Sequence, residues 1–195
     1  MNRNIAAWIR ERRGMTLVEL MIAVAVFGVL MGVVMGFMVQ SRRSYSETRD
    51  RAQIQQSMRA VLSLLTAEIR SAGCDPLSAG FDTFGIANAT LLQARMDLNG
   101  DADFTDNNPD ETVTYSFDAG AGELSRDDGS GAQVVLRNLT NAAFTYFDQN
   151  DAPLAAVPLN ATDRARVRTV RVQLQAEAAD GEQVTYETRI ALRNI

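Results

Sequence analysis

The chain has no histidine, no lysine, one cysteine (Cys74) and only four prolines in 195 residues. Without histidine it lacks the commonest general base and the commonest metal ligand. A single cysteine excludes an intrachain disulfide and a thiolate zinc cluster. The usual kit for hydrolytic chemistry is therefore missing, and a membrane-anchored enzyme is the weakest of the function classes open to the chain. Positive charge is confined to arginine and concentrated at the start. Residues 1–14 hold Arg3, Arg10, Arg12 and Arg13 against Glu11, a balance of +3 whose removal takes the net charge from −5 to −8. An acidic remainder gives no electrostatic support to direct nucleic-acid binding, which depends on clustered cations. Charge of either sign is absent from Leu20 to Val39.

That uncharged run is about the length a helix needs to cross the hydrocarbon core. Directly before it stands Glu19, and a little earlier Gly14 follows Arg12 and Arg13. A carboxylate at the head of a membrane helix is costly and marks a function with a partner. The run is too long for a secretory signal peptide, and no small-residue cleavage site follows before Gln40-Ser41-Arg42-Arg43. The basic leader stays cytoplasmic by the positive-inside rule, which places the residues after Val39 outside. Composition alone leaves a plain signal anchor open.

The junction itself is more specific. Arg12-Arg13-Gly14-Met15-Thr16-Leu17-Val18-Glu19-Leu20-Met21-Ile22-Ala23 resembles the class III signal of type IV prepilins and pseudopilins. The resemblance implies cleavage between Gly14 and Met15 by a prepilin peptidase, with removal of leader 1–14 and N-methylation of Met15 by the same processing system. The family usually has Phe where Met15 stands. Gly14 suits an extended backbone entering a protease cleft, and Glu19 lies where the helix dipole favours an anion. By resemblance, Glu19 neutralises the N-terminal amine of a neighbouring subunit when the chain leaves the membrane. A snorkelling interfacial acid is the plainer alternative.

Gly28, Gly32 and Gly36 recur every four residues and share a helix face, the spacing that lets apolar helices approach closely. The resemblance implies packing in the core of a filament; simple dimerisation would use the same face. Between Gln40 and Ala72 there is neither Pro nor Gly, and Met58, Val61, Leu62, Leu65, Ile69 and Ala72 keep helical spacing. The pattern predicts one helix from Thr16 to about Ser71, roughly 80 Å long, with segment 15–39 apolar all round and segment 40–72 an amphipathic continuation. Gly73 and Pro76 punctuate its end. The passage Ala67-Glu68-Ile69-Arg70-Ser71-Ala72-Gly73-Cys74-Asp75-Pro76 resembles the PilW group of minor pilins. Cys74 reads as a partly buried free thiol.

Residues 73–195 read as a globular antiparallel β domain. Six acids fall in 97–111, with no basic residue between Arg95 and Arg126. Asp97, Asn99, Asp101 and Asp103 alternate as in the first half of an EF-hand-type loop, a hard oxygen set suited to Ca²⁺. Ala102 stands where such a loop has its turn glycine, and Asn108 where it has a bidentate Glu. A solvated acidic turn is the alternative. Strands are expected at 89–96, 112–117, 123–126, 133–139, 143–147, 167–176 and 184–192, with a hairpin turn at Asp127-Asp128-Gly129-Ser130-Gly131 and a loop from Ala152 to Arg164. Val170, Val172 and Leu174 alternate with Arg171, Gln173 and Gln175, so one sheet face is buried, and the Met58–Ile69 stripe is its expected cover.

The expected fold is α+β of type IV pilin-like form, a long N-terminal helix packed on an antiparallel sheet. The resemblance implies a structural subunit held in the bacterial inner membrane before assembly, with its N-terminus cytoplasmic, and later a part of the pilus at the cell surface. Other pilins or pseudopilins are the implied partners. A minor pilin of the type IV pilus, a type II secretion minor pseudopilin of the J kind, and a calcium-dependent adhesive tip module remain the readings to separate.

Overall fold

The computed structural model describes residues 14–106, 108–155, 157–178 and 181–194. Leader residues 1–13 and Asp180, which falls in the turn expected between strands 167–176 and 184–192, lie outside these. One helix, α1, runs Leu17–Ser71 without interruption. Contacts along the chain divide it into two compact units that meet between Ser46 and Glu47, so α1 contributes to both.

In the first unit α1 is long and apolar enough to cross a membrane. Its large side chains face outward on every side, from Leu17 at 75% exposed to Phe37 at 77%. Such a surface is not stable in water and belongs against lipid or against other apolar helices.

In the second unit α1 becomes one-sided. Met58, Val61, Leu62, Leu65 and Ile69 are its buried residues, and their three- and four-residue spacing makes a stripe. Two antiparallel sheets supply the rest of the core. The first contains β1 (Phe84–Ala87), β2 (Leu91–Arg95), β3 (Thr112–Asp118), β4 (Glu123–Asp127) and β5 (Gln133–Leu136) in sequential order; the second contains β6 (Leu139–Phe147), β7 (Thr169–Glu177) and β8 (Gln183–Ala191). In β7, Val170, Val172, Leu174 and Ala176 are buried, and Val170 pairs with Ile190 and Leu174 with Tyr186 across to β8. The helical stripe and this face belong to one continuous core with Phe84, Leu92, Tyr115, Leu124 and Tyr146.

Three local features depart from the strand and loop pattern expected of the sequence. A single strand expected over 133–139 breaks into β5 and β6 because Asn138 adopts φ 60°, a left-handed kink that Asn tolerates. This kink moves the chain from one sheet to the other, and Leu139 N–H then donates to Gly122 O at 3.0 Å. The loop expected over 152–164 contains a short helix, α2 (Ala161–Arg166), whose Asn160 side chain accepts from Asp163 N–H, a local N-cap. Finally, Phe84–Ala87 forms an edge strand at the start of the first sheet. Its side chains do not alternate cleanly, which hid it.

Candidate functional site

The head of α1 is held by its own side chains. Thr16 stands just before the helix, and its hydroxyl oxygen accepts the Glu19 N–H at 3.2 Å. Glu19 Oε2 in turn accepts the Thr16 N–H at 3.4 Å. This reciprocal pair is a capping box, which satisfies backbone donors that a helix start otherwise leaves open. The signal was present in the sequence as Thr-x-x-Glu before an apolar run. Glu19 thus has a role inside its own chain as well as any role toward a partner. Gly14 and Met15 precede the helix and are exposed, with nothing within 4 Å of the position a Gly14 Cβ would take. Gly28, Gly32 and Gly36 likewise have open space where a Cβ would lie among the described residues.

At its other end α1 is fastened by a charged cluster that periodicity did not reveal. Arg126 on β4 meets Glu68 of α1 at 2.7 Å, Asp110 of the β2–β3 loop at 2.8 Å and Asp128 at 2.6 Å. Tyr115 donates its hydroxyl to Glu68 Oε2. Burial opposes charge on Arg126, but its hydrogen bonds to Glu68, Asp110 and Asp128 outweigh this and raise its pKa above the ordinary value. Burial, then the bond to Glu68, also raises the Tyr115 pKa, so the hydroxyl stays a donor. Gly73 follows the helix at φ +76°, where its N–H reaches Arg95 O at 2.8 Å.

The acidic loop connects β2 to β3. Its backbone starts from the end of α1, where Asp97 N–H donates to Cys74 O at 2.7 Å. The four residues that alternate in sequence have different places. Asp97 is fully buried, and its two oxygens accept the N–H groups of Gly100 at 2.5 Å and Ala102 at 3.0 Å. Asp103 turns back to Thr105, accepting from its N–H and its hydroxyl. Asn99 Oδ1 accepts from Asp101 N–H, while its Nδ2 donates to Asp101 at 3.0 Å and to Asp106 at 2.7 Å. Much of the alternation therefore builds side-chain-to-backbone turns. Of the four, Asp101 is brought together with two acids outside the pattern: carboxylate oxygens of Asp101, Asp106 and Glu111 lie within 4.8 Å of one another.

Glu111 was hidden from spacing rules because it sits at the start of a strand, three residues past the expected position. It is fully buried. Its Oε1 accepts the N–H groups of Leu98 and Asn99 at 2.9 and 3.2 Å, whereas its Oε2 is buried with no partner among the described residues. Loss of hydration, followed by the charges of Asp101, Asp103 and Glu111, raises the pKa of Asp106. The Asn99 amide and the Asp103 N–H lower that of Asp101. Ala102 has φ +76°, so the backbone takes the left-handed turn of a calcium loop even without glycine there.

Against known proteins, residues 9–35 match the family model described as the prokaryotic N-terminal methylation motif. The match covers the Gly14–Met15 junction, Glu19, Gly28 and Gly32, and it supports a type IV prepilin-like chain. With the apolar helix it fits inner-membrane anchoring, implies processing by a prepilin peptidase and assembly with other pilins, and points to a structural subunit rather than an enzyme. A comparison with curated proteins finds no match.

Proposed function

We propose that the chain is a minor pilin of PilW type, a subunit of the type IV pilus that takes part in initiating its assembly in a priming or tip complex and so supports motility and adhesion. The observation that carries this reading is the head: a methylation motif set on a capped helix whose apolar side chains over residues 17–39 are exposed. The mechanism is physical. The basic leader keeps the N-terminus cytoplasmic while the helix waits in the inner membrane. Cleavage after Gly14 leaves a methylated amine at Met15. The Glu19 carboxylate, which caps its own helix in the single chain, then pairs with the amine of a neighbouring subunit, and the Gly28, Gly32 and Gly36 face lets helices approach.

A type II secretion minor pseudopilin of the J kind would share this head. The Glu68–Gly73 passage favours the pilus, because its residues resemble the PilW group. Deleting the gene in its host separates the two: surface pili and twitching are lost while type II secretion continues. Loss of secretion with normal pili would overturn the minor-pilin reading. The mature protein should begin at Met15 with one methyl group by intact mass, and an uncleaved Met1 would overturn the pilin reading altogether. In Glu19→Ala, cleavage proceeds and incorporation into filaments falls at least ten-fold; normal incorporation would remove the proposed role of the carboxylate.

A further inference from the structure

We propose that the β2–β3 loop is a divalent-cation site, taking Ca²⁺ in preference to Mg²⁺, with Asp101, Asp106 and Glu111 as its carboxylate ligands and Asn99 beside them. This goes beyond the subunit reading and does not depend on it. Three observations converge. First, oxygens from the three acids lie within 4.8 Å of one another. A Ca²⁺ shell, with ligands at about 2.3–2.6 Å, places opposite oxygens up to about 5.2 Å apart, so a single ion could reach all three. Second, Glu111 is fully buried, yet its Oε2 has no hydrogen-bond partner among the described residues. A buried carboxylate oxygen without a partner is costly, and an ion held by Glu111 and the two aspartates would satisfy it. Third, none of Asp97, Asp101, Asp103, Asp106 and Glu111 forms an ion pair among the described residues. The neighbouring Asp110, by contrast, is held by Arg126. Among the described residues the Asn99 amide bridges Asp101 and Asp106, a neutral donor between two carboxylates.

The ligand set differs from simple alternation for a physical reason. Asp97 spends both its oxygens on backbone N–H groups, so it shapes the loop and leaves the ion to others, and one oxygen of Asp103 is taken by Thr105. Glu111 takes the place of the late carboxylate in such loops. Oxygen ligands in a loop of turns suit the flexible shell of Ca²⁺, whereas Mg²⁺ demands near-octahedral geometry and sheds water reluctantly. The loop begins on the Cys74 carbonyl and ends beside Asp110, which Arg126 links to Glu68. An ion here would therefore brace the end of α1.

The test uses the full-length chain in non-ionic detergent, stripped with a chelator and titrated with CaCl₂ by calorimetry. One site is expected, with Kd roughly between 10⁻⁶ and 10⁻³ M, weaker binding of MgCl₂, and a melting midpoint about 5–10 °C higher at a hundred-fold excess over Kd. Asp106→Asn and Glu111→Gln each weaken binding at least ten-fold; the latter keeps an oxygen for the Leu98 and Asn99 N–H groups. Asp118→Asn, outside the loop, leaves binding unchanged. If Glu111→Gln does not fold, Asp106→Asn decides. Absence of heat and of any melting shift at 10 mM CaCl₂ would overturn the proposal. So would wild-type affinity in Asp106→Asn, or equal loss in Asp118→Asn, which would assign the heat to surface acids in general.

Discussion

Replacing Arg126 by Met should be more damaging than neutralising its partner Glu68. Among the described residues Arg126 is the one cation paired with Glu68, Asp110 and Asp128, and its side chain is 16% exposed, with Glu68 at 15% and Asp128 at 21%. Removing it strands carboxylates that have little access to water. Breaking a buried pair by deleting one partner costs about 3–5 kcal/mol. The lower end applies here, about 3 kcal/mol, because Asp110 is 37% exposed and can hydrate itself. Glu68→Gln differs: Arg126 keeps two carboxylates, and Gln still offers an oxygen to Tyr115 or Arg126. Its cost should be about 1 kcal/mol, the net value of one hydrogen bond. Urea unfolding followed by near-ultraviolet circular dichroism of the buried Tyr115 and Tyr146 reads the difference. With a slope of about 2 kcal/mol/M, Arg126→Met lowers the midpoint by about 1.5 M and Glu68→Gln by about 0.5 M. In the double variant the loss of Arg126 should cost about 1–2 kcal/mol less than in the wild type. Arg126→Met within about 0.5 kcal/mol of wild type, or Glu68→Gln at least as damaging, would refute the account.

Gly73→Ala should cost about 2 kcal/mol or more in the same assay. Its φ is +76°, and a Cβ would stand 2.8 Å from Thr83 Oγ1 and 2.9 Å from Asn194 O. Ala102→Gly should instead stabilise by about 0.5–1 kcal/mol, because Ala102 holds a left-handed φ of +76°; a loss of stability would show that its methyl packs usefully. Acid titration of stability should be shallower in Asp128→Asn. The Ser130 hydroxyl, then its N–H, then Arg126 lower the Asp128 pKa from 3.8 to about 2. A depressed carboxylate contributes stability that is complete above about pH 4 and is lost as pH falls through about 2. The urea midpoint of wild type should therefore drop between pH 4 and 2 more steeply than that of the variant, and parallel curves would count against the Asp128 contribution.

How much of this was legible beforehand follows from the range of each interaction. Helical spacing and the absence of Pro and Gly define α1 through local geometry, and the Gly73 signal falls at its observed end. The alternation of Val170, Val172 and Leu174 finds its face because burial on a sheet has period two. Local pattern could not show that the strands divide into two sheets, since that turns on the φ of Asn138. Nor could it place Glu111 beside Asp101 and Asp106, because the three converge only after β2 and β3 pair.

The sequence by itself determined the head of the chain. Arginines, Gly14, Met15, the Thr16–Glu19 cap and an uncharged run are all near neighbours, so their chemistry is complete without a fold. Only tertiary structure decided the other end. Glu68, Tyr115 and Arg126 sit on a helix and two strands, far apart in the chain, and Glu111 lies ten residues from Asp101. Their side chains meet because the core under α1 brings helix and strands together around apolar side chains, and partners set by that packing have no spacing that a sequence could display.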